Sequence, residues 1–218
     1  MPISLPDDLS PDVYPLAWLV GRWEGFGMLA YPNVPETSFV QELEVTHDGG
    51  PYLRATSTLW LASTREGMEI HRELTGADGV ARLERGVQWA TETQYWRPTG
   101  EVDRGADATT TGANDRLVPT TGLEVIVADP AGVAMLYLGE VTGPRINLAT
   151  DAVLRSATGA EIAGATRMYG LVQGDLLWAW DLAAFGEELR PYASGRLTRL
   201  EGAPDGSADG TGGAGERA

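Results

Sequence analysis

The sequence predicts an all-β protein, an antiparallel up-and-down barrel of about ten strands preceded by a short N-terminal helix. Three observations carry that expectation. The 28 glycines and 13 prolines divide the 218 residues into short β-branched or aromatic runs, the pattern of many strands joined by tight turns. Helical periodicity is scarce. The links between runs, among them Asp129-Pro130-Ala131-Gly132, Gln173-Gly174-Asp175 and His47-Asp48-Gly49-Gly50, are too short for parallel crossovers and suit hairpins. A meander of this length is best closed on itself, because closure removes exposed edges, and a barrel of this size can enclose a small-molecule cavity.

Residues 1–11 form an N-terminal extension and 12–201 the barrel domain. The first element is a helix over Pro11–Leu19. Ser10 is placed to cap it, Pro11 fits its first turn, and Val13, Tyr14, Ala17 and Trp18 are expected on one face. Strands follow over Gly21–Tyr31, Ser38–Thr46, Tyr52–Ala62, Gly86–Trp96, Leu123–Ala128, Ala131–Val141, Arg145–Ala149, Ala165–Val172, Leu176–Asp181 and Tyr192–Leu200. In the third, Tyr52, Arg54, Thr56, Thr58 and Trp60 share one face and Leu53, Ala55, Ser57, Leu59 and Leu61 the other. Neither face is wholly polar, which suits a barrel wall beside a lined interior. Two loop extensions are expected, at about 63–85 and at 101–119, and the Gly/Ala-rich residues 202–218 read as a disordered tail.

Hydrophobic residues make up 43% of the chain and charged residues 22%, a globular balance. The formal net charge of -15 repels phosphate backbones and anionic lipid surfaces, so neither nucleic acid nor membrane is an expected partner. No cysteine is present, which removes disulfides, thiolate metal sites and thiol nucleophiles together and says nothing about compartment. Met1 to Ser10 does not read as a signal peptide, and no apolar run reaches the ~18 residues of a membrane span. A cytoplasmic location is the default expectation, and oligomeric state is left open.

Catalytic signatures are missing: no Walker A, no dinucleotide-binding glycine pattern, no His-Glu-x-x-His and no nucleophile elbow. With only His47 and His71, a histidine-rich metal site is impossible. His47 is expected in a hydrogen-bonded structural role at a hairpin, and His71 in solvent. Glu42 and Glu44 fall on one solvated face of a strand, opposite Leu43 and Val45, and the pair Glu187/Glu188 needs no catalytic account in so acidic a chain. The seven tryptophans are more informative. Trp178 and Trp180 share one strand face, either as core packing or as the lining of a cavity for a flat apolar ligand.

The segment Gly21-Arg22-Trp23-Glu24-Gly25-Phe26-Gly27 reads Gly-x-Trp-x-Gly-x-Gly after a short helix, and it resembles the signature of nitrobindins. Support comes from Tyr31-Pro32, Thr46-His47-Asp48-Gly49, Glu92-Thr93-Gln94-Tyr95-Trp96-Arg97-Pro98, the stretch from Leu123 to Gly132, Leu148 to Val153, and Asp181 to Gly186. The likeness runs from about Leu16 to Leu200. Gly21, Trp23, Gly25 and Gly27 are the motif residues.

The resemblance implies a ten-stranded antiparallel barrel, distantly like fatty-acid-binding proteins, with a haem pocket at one mouth. In haem-binding members a histidine after Ala-Ala-x-Gly-x-x-Leu-x-Pro ligates ferric iron, and the site is associated with nitric oxide binding and peroxynitrite isomerisation. Here that stretch is Ala183 to Pro191 and the next residue is Tyr192. Asn33, after Tyr31-Pro32, stands where those members place a pocket threonine. Phenol must lose a proton with a reference pKa near ~10 before it ligates well, whereas imidazole need not. On a strand from Tyr192, Arg196 would share its face and ease that loss. The reading is a nitrobindin-like barrel without histidine-ligated haem, holding no ligand or a small apolar one. The alternatives are a ferric haem b protein acting on nitric oxide and peroxynitrite through Tyr192 or without a protein ligand, and a non-catalytic carrier of a lipid-like molecule.

Overall fold

The computed structural model of the chain describes residues 8–32, 34–102 and 119–200. Asn33, residues 103–118 of the loop expected at 101–119, and the tail lie outside the described residues.

Ten strands close into one antiparallel barrel: β1 (Gly21–Tyr31), β2 (Val34–Thr46), β3 (Leu53–Thr64), β4 (Leu83–Glu101), β5 (Thr120–Asp129), β6 (Val133–Thr142), β7 (Arg145–Arg155), β8 (Ile162–Val172), β9 (Asp175–Ala184) and β10 (Arg190–Arg199). Each strand pairs with its sequence neighbours and β10 returns to β1, so the expected meander is observed, closed. Several strands run past their expected ends, β4 and β7 most of all, because pairing with a long neighbour extends regular backbone into residues of weak β character. The tight turns are built as their residues suggest. Gln173 and Gly174 both take positive φ, 55° and 90°, between β8 and β9.

The motif glycines explain how the barrel shuts. A Cβ on Gly25 would overlap the Arg196 carbonyl, and one on Gly27 would overlap the Ser194 carbonyl and the Phe39 ring. Only glycine lets β10 and Phe39 approach β1 so closely. Trp23, two residues before Gly25 on the same strand, is fully buried and donates its indole N–H to the Leu19 carbonyl at 2.8 Å.

That bond seats the N-terminal helix, which spans Pro11–Leu19 as expected but is a 3-10 helix. At three residues per turn Val13, Leu16 and Leu19 line one side and are buried, whereas Tyr14 turns outward and is exposed. The face expected from α-helical spacing is corrected accordingly. Ser10 makes no side-chain cap either; its hydroxyl meets Asp12, and the first turn is closed by its backbone carbonyl. Arg199 holds the helix end by donating to the carbonyls of Trp18 and Val20 while its guanidinium lies over the Trp23 ring. The helix thus plugs one end of the barrel.

Between β3 and β4 a short helix, α1 (Gly76–Ala81), capped by Thr75, packs on the outside of the barrel. It covers Phe26 and Val40, which with Leu74 and Leu83 form a small second core. Asp175 fixes it there. Its buried carboxylate accepts from Arg196 Nε at 2.6 Å, from Thr198 Oγ1 at 2.8 Å and from the Gly76 N–H.

Candidate functional site

Strand alternation sends Gln41, Leu43 and Val45 of β2, Ala55, Ser57 and Leu59 of β3, and Glu92, Gln94 and Trp96 of β4 to the interior, where they meet Arg167 and Tyr169 of β8 and Trp178 and Trp180 of β9. These side chains line a cavity that has Leu19 of the helix plug at its floor and opens at the opposite end. Its volume is about 50 Å³. Trp89, Asp129 and Tyr192 border it near the strand ends that form the mouth.

The core of this interior is polar, which the sequence reading missed. Arg167 is 4% exposed and grips Glu92 through both terminal nitrogens, at 2.6 and 2.8 Å. Burial is the largest single influence and works against the guanidinium's charge, but Glu92 together with Tyr137 and Tyr169 outweighs it, and its pKa stands well above the ordinary arginine value. The Arg167 guanidinium also lies over the rings of Trp180, at 4.3 Å, and Tyr137, at 5.3 Å. From Glu92 the chain of bonds continues: Gln94 Nε2 donates to Glu92, and Trp96 Nε1 donates to Gln94 Oε1. A second set lies alongside, in which Trp178 Nε1 donates to Gln41 Oε1 at 2.7 Å and Gln41 Nε2 donates to Ser57 Oγ at 2.9 Å. Burial pushes Tyr169 up to about 12 and raises Tyr137 as well. The signal was present: Arg167 alternates with Ala165 and Tyr169, and Glu92 with Gln94 and Trp96, so these polar residues follow the inward phase of their strands.

Tyr192 sits at a bulge in β10, where the register shifts between Pro191 and Ala193. The extra residue moves Tyr192 to the inner side with Ala193, Gly195 and Leu197, so Arg196 does not share its face. Arg196 instead pairs with Asp175 beneath α1. That overturns the expected Arg196 assistance. The Tyr192 hydroxyl accepts a hydrogen bond from Trp89 Nε1 at 3.0 Å, and its ring meets Trp180 and Tyr31 edge-on at 5.0 and 5.8 Å. Burial raises its pKa, partly offset by the Trp89 bond.

Trp178 and Trp180 resolve as both packing and lining, since they join the core and border the cavity. Neither histidine is among the lining residues. His47 is fully buried and neither ring nitrogen has a hydrogen-bond partner among the described residues, with Asp8 3.8 Å away, so the expected hydrogen-bonded role is not observed. His71 is exposed. Glu42 lies on the outer face, where Arg85 bridges it to Glu24, and Glu187 pairs with Arg190 outside. Among the described residues no cluster of metal-ligating side chains occurs, and no helix is long and apolar enough to cross a membrane.

Comparison with known proteins matches residues 12–199 to the THAP4-like, heme-binding beta-barrel domain. A protein of Beutenbergia cavernae named ferric nitrobindin-like protein is 50% identical, the match covering 92% of this chain and all of that one. The chain belongs to the nitrobindin family. A nitrobindin relative from Kocuria rhizophila, named peroxynitrite isomerase, is 40% identical over 95% of this chain and all of its own length. The fold is also that of a crystal structure of a protein from M. tuberculosis, with a TM-score of 0.61 at 22% identity over 88% of this chain and 99% of that one.

Proposed function

We propose that this nitrobindin-family barrel binds a small, largely apolar molecule and has given up haem held by histidine. The observation that carries the reading is Tyr192. At the position the family resemblance assigns to the axial histidine stands a phenol whose pKa is raised by burial and whose ring is hemmed by Trp180 and Tyr31, while the two arginines near it in sequence, Arg190 and Arg196, are committed to Glu187 and Asp175. Deprotonation is opposed, and tyrosinate is the form that ligates ferric iron well. The cavity offers no imidazole. Such a donor set does not fit a histidine-ligated haem, so no catalytic step is assigned to the group.

Titration with hemin tests this. The expected result is weak, non-stoichiometric uptake that Tyr192→Phe leaves unchanged. A stoichiometric Soret shift abolished by Tyr192→Phe overturns the reading. Gain of tight uptake in Tyr192→His would show that the pocket persists and the ligand alone changed. A second reading, favoured by relatives named peroxynitrite isomerase, keeps ferric haem b with Tyr192 or no protein ligand and makes the chain an isomerase of the same kind. Stoichiometric uptake by the unmodified chain separates the two, and Tyr192→Phe then tells whether the phenol is the ligand.

A further inference from the structure

The cavity's hydrogen-bonding valences are unevenly used, and the imbalance identifies the class of molecule it takes. Glu92 receives both terminal nitrogens of Arg167 and one N–H of Gln94, so the one buried cation is already neutralised. The acceptor oxygens of Gln41 and Gln94 are taken by Trp178 and Trp96. Each of these oxygens therefore has at least one partner, whereas several donors have none. Ser57 Oγ accepts from Gln41, so the hydroxyl hydrogen is spare on a residue 2% exposed. Indole can only donate, so the bond between Trp89 and Tyr192 uses the phenol as acceptor and leaves the Tyr192 O–H free at the mouth. Arg167 Nε and Trp180 Nε1, paired across the neighbouring strands β8 and β9, are buried without a well-formed hydrogen bond among the described residues, the Tyr137 phenol being the oxygen near enough to feel both side chains. Each such donor carries a desolvation penalty until something accepts from it.

Resting on the reading of the cavity as a ligand site, we propose that it binds a neutral, flat, one- or two-ring molecule carrying acceptor oxygens at two edges, of the quinone or aromatic-ketone class. One oxygen accepts from Ser57 in the interior and the other from Tyr192 at the mouth, with the ring between the indoles of Trp178 and Trp180 and the apolar side chains of Leu43 and Leu59. An anionic ligand of the same shape is disfavoured. Arg167 is spent on Glu92, and the remaining ionisable carboxylate of the lining, Asp129, adds repulsion. A purely apolar ring leaves the spare donors unmatched.

Three ligands of one ring size separate these cases: 1,4-naphthoquinone, naphthalene and 2-naphthoate, each titrated calorimetrically into the full chain. The chain has no cysteine and no lysine, so quinone addition to those side chains cannot mimic binding. The quinone is expected to bind at least tenfold more tightly than either of the others, the difference one good pair of hydrogen bonds makes. Ser57→Ala and Tyr192→Phe should each weaken the quinone several-fold and leave naphthalene unchanged, which also certifies that the variants fold. Naphthoate or naphthalene binding as tightly as the quinone overturns the proposal while the ligand-cavity reading stands. If none of the three binds, both fall. The ranking on the unmodified protein decides the matter even where a variant fails to fold.

Discussion

The two ends of this barrel are built from the same alternating strands and reach opposite results. At the plugged end Val13, Leu16 and Leu19 of the 3-10 helix pack into a continuous apolar core with Trp23 and Leu53, and the N–H groups of Trp18, Trp23 and Arg199 donate to backbone carbonyls there, with His47 the buried exception. At the open end large rings are just as plentiful, yet they surround a buried ion pair, two glutamines and a serine, with N–H and O–H groups to spare. Packing density is thus not a property of the strand pattern. It depends on what a handful of inward positions carry, and a barrel keeps a cavity where those positions hold polar groups that cannot collapse on one another.

The largest expected effect comes from breaking the open end's ion pair. Glu92→Leu leaves the Arg167 charge buried without its partner and should cost about 3–5 kcal/mol in urea unfolding, whereas Glu92→Leu with Arg167→Met should recover most of it. If the single variant costs under about 1 kcal/mol, the pair is solvated and the contrast between the ends dissolves.

A matched pair of truncations measures the contrast itself. Leu16→Ala at the plugged end opens a void in dense packing and should cost about 2–5 kcal/mol. Leu59→Ala only enlarges a space already present beside it, so its cost should be lower by about 1 kcal/mol or more. Equal costs would mean that the cavity is filled in solution. On the outer side of the same helix, Tyr14→Ser should stay within about 0.5 kcal/mol, because its ring meets solvent.

The barrel was legible because hairpin chemistry and alternation act locally: Gly21–Tyr31 ends where expected, and Leu53, Ala55, Ser57 and Leu59 face inward as their phase requires. Three features were not. The helix face failed because spacing does not distinguish three from 3.6 residues per turn over nine residues. The facing of Arg196 failed because a single bulge, invisible in composition, inverts the phase downstream. The Arg167–Glu92 pair joins positions 75 apart in sequence, on strands β4 and β8 that meet only across a closed interior. Tyr192 was found through family resemblance; its environment of Trp89, Trp180 and Tyr31 required the fold.

Tyrosine titration gives the gentlest probe of the open end. Burial raises the phenols of Tyr169, to about 12, and of Tyr137 and Tyr192. The folded chain therefore holds these protons more tightly than the unfolded chain. Their contribution to stability is fully present below the unfolded value near ~10 and is lost as pH climbs through the raised folded values. No lysine is present and arginine titrates higher still, so phenols dominate that window. Urea midpoints at pH 8 and pH 10 should nearly agree and then fall steeply, and a flat profile to pH 12 would mean that these rings are not buried. Tyr192→Phe removes one of the three groups and should make the fall slightly shallower. At pH 8 the same variant should cost no more than about 1 kcal/mol, because Trp89, the donor left without its acceptor, is 43% exposed and can turn to water. A small effect on stability at Tyr192, beside a several-fold effect on quinone binding, is the signature expected of a side chain that serves the proposed ligand rather than the fold.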